Sequence, residues 1–175
     1  MDKLEYKYIS KDTLCHLSLH DCIISRVEQI GSTMNFYLEW INMLKSHPLN
    51  KTGKSKITRK SLLTFDNASI VFCKYYDMSR AYTEGKKTNK KFYNVEEEAD
   101  VVNVDLFDFC NNLEISDDEE TETGTGEKTW YCLCENDLQF KIKFTSVYVH
   151  FNELAEDAWF ENAPSTDYDI SSFLK

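Results

Sequence analysis

The sequence predicts a mainly β protein: an antiparallel β-sandwich or a strongly curved sheet, with one short C-terminal helix. Three observations carry that prediction. Met34, Phe36, Leu38 and Trp40 alternate with Asn35, Tyr37 and Glu39, the period-2 pattern of a half-buried strand. Leu138, Phe140, Ile142 and Phe144 alternate in the same way with Gln139, Lys141 and Lys143. Hydrophobic content of 42% and 14% aromatics, with only 5 Gly and 2 Pro in 175 residues, describe a folded chain that loops do not dominate. A single domain, 1–175, is expected, large enough to bury roughly two-thirds of its unfolded surface.

Taken in order, Leu19 to Val27 reads as a strand with Ile23 and Val27 on one face. Gly31 and Ser32 then turn the chain into Met34 to Trp40, because glycine accepts the positive φ of tight hairpin turns. Ser61 to Phe65 and Ala68 to Tyr76 are apolar runs separated by Asp66 and Asn67, a second hairpin signal. Val102, Val104 and Leu106 alternate, and Phe107 and Phe109 then break the parity as a bulge or helical turn would; strand is the favoured reading. Thr129 to Cys134 and Leu138 to Phe144 flank Asn136 and Asp137 as a third hairpin, and Val147, Val149 and Phe151 extend it into a meander. Asn152 is placed to cap a short helix through Ala155, Ala158 and Trp159 that Pro164 ends. Residues 165–175 hold only Ile170, Phe173 and Leu174 as apolar anchors and read as a tail or docking strand.

The formal net charge of -10 disfavours nucleic acid phosphates and anionic membranes as partners and points to a basic protein. Charge is laid out in blocks. Basic residues crowd 45–60, both signs crowd 84–100, and 116–128 carries Asp117, Asp118, Glu119, Glu120, Glu122 and Glu127. All three read as loops, the last as the acidic contact for a partner. The first ten residues lack the apolar core of a signal peptide, and no apolar run approaches the roughly 18 to 20 residues of a membrane span. A cytoplasmic protein with reduced thiols is expected, its six cysteines mostly packed as small apolar groups.

Catalytic chemistry has no comparable signature. Cys15, His16, His20 and Cys22 cluster in sequence, but in an extended segment the two histidines stand roughly 13 Å apart, too far to share an ion. Cys132 and Cys134 share a strand face and supply at most half a metal site. No nucleophile elbow accompanies the four histidines, and Thr123 to Gly126 lacks the lysine and strand-to-helix setting of a phosphate loop. No catalytic residue, metal ligand or cofactor is therefore assigned. The partner-binding candidates are the His20–Asp21 dyad, the outward-parity Tyr37 and Tyr148, and Asp117, Asp118, Glu119 and Glu120.

The run Leu19, His20, Asp21, Cys22, Ile23 and Ile24, followed by Val27, Gly31 and the strand to Trp40, resembles the opening of small bacterial immunity-like proteins. Phe151, Asn152, Glu153 and Leu154 through Ala158, Trp159, Phe160 and Glu161 are similar to the closing segment of uncharacterised bacterial β-rich proteins. The resemblance implies occlusion, in which an acidic sheet protein binds a basic toxin domain and blocks its active site. A ligand-binding or assembly module of phage or bacterial host is the alternative, and a hydrolase or metal-dependent enzyme stands third.

Overall fold

A computed structural model describes residues 5–77 and 100–161. Residues 84–99 of the second charged block, Pro164 and the tail 165–175 lie outside the described residues. The architecture is mainly β and antiparallel, as the patterning requires. Its strands are β1 (Tyr8–Lys11), β2 (Leu17–Ser18), β3 (Ile23–Ile30), β4 (Thr33–Glu39), β5 (Asn42–Met43), β6 (Lys56–Ile57), β7 (Lys60–Asp66) and β8 (Ser69–Asp77). After these come β9 (Asp100–Asn103), β10 (Leu113–Glu122), β11 (Lys128–Cys134), β12 (Gln139–Phe144) and β13 (Ser146–Phe151).

Ten of these strands form one hydrogen-bonded sheet in the order β1-β13-β7-β4-β3-β10-β11-β12-β8-β9. That sheet is folded over at β10, which pairs through Leu113 and Glu114 with β3 and from Ile115 onward with β11. The two halves therefore face each other as the layers of an open sandwich. Phe36 of β4 lies 5.2 Å edge-on to Trp130 of β11 and 5.6 Å from Phe140 of β12. Phe65 of β7 stacks on Trp130 at 5.2 Å and meets Phe144 edge-on at 4.9 Å. Met34, Phe36, Leu38, Leu63, Phe65, Trp130, Phe140 and Ile142 are all buried in this seam.

Two crossings from layer to layer close one end of the sandwich. The apolar runs around Asp66 and Asn67 are both strands, but they do not form the expected hairpin. β7 pairs with β4 and β13, whereas β8 pairs with β12 and β9. Asn67, at φ 51, turns the chain out of one layer into the other. Likewise β13 leaves β12 and joins β7 and β1, so the meander ends at β12. The two arches support each other: the Thr145 N–H donates to the Asp66 carbonyl at 3.0 Å and the Asn67 side chain donates to the Thr145 hydroxyl. The third expected hairpin, β11–β12, forms around Asn136 and Asp137, both at positive φ.

A small sheet, β2-β5-β6, plugs the opposite end. The chain after β13 is laid alongside it and is not the expected helix. Ile57 donates to the Glu156 carbonyl, Ala155 to that of Ile57 and Ala158 to that of Ser55. Asp157 is gripped by Lys54 at 2.7 Å and Lys56 at 2.6 Å. Extended pairing with β6 uses those backbone groups, so only Trp159–Glu161 remains as a 3-10 turn, and Asn152 accepts instead from the Lys7 N–H. The α-helical turn among the described residues is α1 (Leu106–Phe109), where Asp105 accepts from the Phe107 N–H as N-cap. The parity break at Phe107 is thus helical, and the strand before it stops at Asn103.

Two further expectations are corrected. The strand expected from Leu19 is β3 and begins at Ile23, because Leu19–Cys22 is a tight turn with Asp21 at φ 65 and a Cys22 N–H to Leu19 carbonyl bond of 3.0 Å. Trp40 is not core. β4 ends at Glu39, Trp40 takes φ 65, and its side chain is 53% exposed while Ile41 and Met43 resume burial on the shifted parity. Phe36→Ala should therefore cost about 3–5 kcal/mol in denaturant unfolding. Trp40→Ala should cost less than about 1 kcal/mol and leave the melting curve close to that of the unaltered protein.

Candidate functional site

Trp40 and Trp159, 53% and 59% exposed, line one cleft of about 420 Å³ together with Asp21, Asn42, Ile57, Arg59 and Glu156. The cleft exists because three segments end there. β4 ends just before Trp40, whose N–H donates to the Arg59 carbonyl at 2.9 Å and whose carbonyl accepts from the Cys22 thiol at 3.3 Å. The turn before β3 brings in Asp21, whose N–H is held by the Ile115 carbonyl at 2.9 Å. The segment along β6 carries Glu156 and Trp159. Two non-glycine residues of this cleft, Asp21 and Trp40, are thus fixed in left-handed backbone, each at a cost of about 1–2 kcal/mol that the surrounding hydrogen bonds offset.

Charges in the cleft are unequal. Arg59 is matched by Glu156 at 3.0 Å and Glu153 at 3.6 Å. Among the described residues Asp21 has only the exposed His20, at 3.5 Å. Asn42 is 3% exposed, and its Oδ1 has no hydrogen-bond partner among the described residues. A buried acceptor left unpaired costs about 1–3 kcal/mol. Burial pushes the Cys22 thiol well above its ordinary range, so the buried thiol nearest the cleft stays protonated and unreactive.

His20 and Asp21 stand at the rim. His20 Nδ1 bonds the Ser116 carbonyl at 2.8 Å, at the point where a bulge shifts the β10–β11 register. That bulge settles where the acidic residues go. The 116–128 block is not a loop: it is the second half of β10, and the turn is confined to 123–127, closed by a Thr123 N–H to Glu127 carbonyl bond of 2.8 Å. Pairing with β11 splits the acids by parity. Asp118 and Glu120 face inward, opposite Cys132 and Trp130, while Asp117 and Glu119 face out, opposite Leu133 and Tyr131. Asp118 accepts the Trp130 indole N–H at 3.1 Å and Glu120 lies 3.9 Å from Lys128. Of the four, Asp117 and Glu119 are the solvent-exposed pair.

Tyr37 and Tyr148 lie apart from the cleft, half-buried on the outer face of the other layer. Arg26 covers the Tyr37 ring at 4.0 Å and Tyr37 donates to Glu28 at 2.6 Å, while Lys11 lies 5.6 Å over the Tyr148 ring. Each ring already has a cation from this chain. His16 bonds Ser46, and His20 reaches Ser116, so the Cys15–Cys22 cluster is drawn toward different neighbours. Cys132 and Cys134 lie 3.9 Å apart, sulfur to sulfur, and both are buried. Among the described residues no group of three or more His, Cys, Asp or Glu side chains is placed to hold a metal ion, and no helix is long and apolar enough to cross a membrane.

Trp40, Asn42, Ile57, Arg59, Glu156 and Trp159 were not among the candidates that the patterning singles out. One signal was present: Leu38 and Trp40 share a parity that Ile41 and Met43 abandon. A backbone kink at Trp40 is the simplest way to bury both sets.

Two buried groups near this end give the stability a distinctive pH dependence. Burial raises the Asp118 carboxyl to about 6, against the pull of the Trp130 indole N–H, so its contribution is fully present below about pH 4 and is lost as pH rises through 6. His47 is buried, accepts at Nδ1 from the Leu49 N–H and faces the Ser10 and Thr13 hydroxyls through Nε2. Burial, reinforced by His16, lowers it to about 4, so its contribution is lost as pH falls through the same window. The two contributions oppose each other across that window. Asp118→Asn should stabilise the protein by about 2 kcal/mol at about pH 8 and expose the His47 slope, read as urea midpoints that fall steadily from about pH 6.5 to 4.

No known family matches the sequence, and neither a curated protein nor a solved structure is similar to it.

Proposed function

We propose that this chain is a non-catalytic protein-binding module that takes a basic partner on the surface formed by the Trp40–Trp159 cleft and the outward acids of β10. The observation that carries the reading is the joining of these two features at one point. Asp21 of the cleft is bonded to Ile115 and His20 to Ser116, at the start of the strand segment that presents Asp117 and Glu119. Exposed indoles supply contact area at low entropy cost, and a neighbouring row of carboxylates steers a basic surface toward them.

An immunity-type role, occluding a basic toxin domain, is consistent with net charge -10 and with a rigid sheet as support. Tyr37 and Tyr148 move to the margin of this reading, since cations of the chain itself already cover their rings. The second reading, a small-ligand module, draws on the same cleft, whose buried Asn42 acceptor is unpaired.

Affinity capture from native bacterial lysate at low and high salt tests the proposal. A basic protein should elute with salt. The double change Asp117→Lys with Glu119→Lys should weaken its capture at least about tenfold while leaving unfolding unchanged. Undiminished capture by that variant would remove β10 from the interface, and the absence of any protein partner would favour the small-ligand reading.

A further inference from the structure

We infer that the Trp40–Trp159 cleft is a receptor for a guanidinium group, the side chain of an arginine presented by a basic partner; this rests on the binding role proposed above.

Charge balance selects a cation. Arg59 is the cationic side chain lining the cleft, and Glu156 and Glu153 already flank it, so an incoming anion would have to displace a carboxylate to reach it. Asp21 is the opposite case. It is half exposed, and among the described residues its only ion-pair neighbour is the solvent-accessible His20 at 3.5 Å. Asn42, almost wholly buried in the cleft lining, holds an Oδ1 with no hydrogen-bond donor. Among the described residues the acceptors left open to a ligand are therefore the Asp21 carboxylate, paired with exposed His20 alone, and the Asn42 amide oxygen, and what they favour is a positively charged group with several N–H bonds.

Shape selects arginine over lysine. A guanidinium is planar and weakly hydrated, so one face can lie on an indole while N–H bonds in its plane reach separate acceptors. An ammonium is a compact, strongly hydrated point charge that cannot stack. Trp40 and Trp159 provide exposed indoles, and Ile57 provides an apolar wall for the methylene stem. The left-handed backbone of Asp21 and Trp40, held by hydrogen bonds to the Ile115 and Arg59 carbonyls, places both side chains on the cleft.

The probe is N-acetyl-arginine-N-methylamide, titrated alongside its lysine and citrulline counterparts and followed by the indole N–H resonances. The chain has three tryptophans, and buried Trp130 serves as an internal reference. Arginine should shift the Trp40 and Trp159 signals saturably and leave Trp130 in place, lysine should bind more weakly, and neutral citrulline should not saturate. Asp21→Asn should weaken arginine binding about tenfold, since it removes a charge-assisted hydrogen bond, while asparagine keeps the left-handed backbone. Trp159→Ala, at an exposed site, should abolish the shift at Trp40 with an unaltered Trp130 signal. Absence of a saturable shift, equal binding of citrulline, or an unaffected Asp21→Asn variant would each overturn the inference. If arginine fails while the β10 charge reversal still weakens partner capture, only this inference falls. If arginine binds and no basic protein is captured, the partner reading falls and the guanidinium receptor stands.

Discussion

The burial of Trp130 is the constraint on which most of the molecule depends. Its ring is fully enclosed between Phe65, Phe36 and Phe140, and this packing joins the two layers of the folded sheet. An indole removed from water must still pair its N–H. Asp118 does so from the neighbouring strand, which obliges β10 to turn that residue inward. Ile115 is also inward, so an extra residue is needed between them, and the bulge at Ser116 supplies it. The bulged carbonyl then holds His20, and the adjacent Ile115 carbonyl holds Asp21. A demand created in the core thereby shapes the rim of the cleft.

The cost of this arrangement is a carboxylate in a poorly solvated place, visible as the raised affinity of Asp118 for its proton. The opposite end of the charge range is represented by Asp157, which hydrogen bonds from Lys54 and Lys56 hold down to about 2. Asp157 lies where the chain after β13 is fastened to β6, and the Glu161 carboxylate adds a 2.6 Å bond from the Ser55 N–H. Together they fix the segment that carries Trp159. One wall of the cleft is thus held by surface ion pairs and backbone pairing, and the other by the kink at Trp40. Because Trp159 and Trp40 contribute little to the core, both are free to serve recognition.

Much of the strand content was legible. Alternation in 34–40, 138–144 and 147–151 located β4, β12 and β13, because each buries one face against the same seam, although Trp40 and Leu138 lie just outside their strands. Asp66–Asn67 and Asn136–Asp137 were legible as turns, and both adopt positive φ in part or whole. Their consequences differ. The second joins partners within one layer, whereas the first carries the chain between layers, a distinction invisible to turn chemistry. The acidic block misled for a related reason: charge density suggested a solvated loop, but the alternate acids of an edge-facing strand find an indole and a lysine on one side and water on the other. Of the cleft lining, only Asp21 stands out in the sequence as a binding candidate, with His20 at its rim.

The sequence by itself determined what depends on neighbours a few positions away: the β class, most strand positions, the turn residues, the charge and the absence of any catalytic signature of comparable quality. Tertiary structure alone decided which strands pair, which acids turn inward, and that two tryptophans of apolar-looking segments stand in solvent around an asparagine whose side-chain oxygen has no partner among the described residues. The physical reason is that alternation records only that a face is buried. What buries it, and which polar atoms are left without partners when it does, is set by residues far away along the chain, such as Trp130 and Asp118 across a hairpin or Asp21 and Ile115, which β3 to β9 separate.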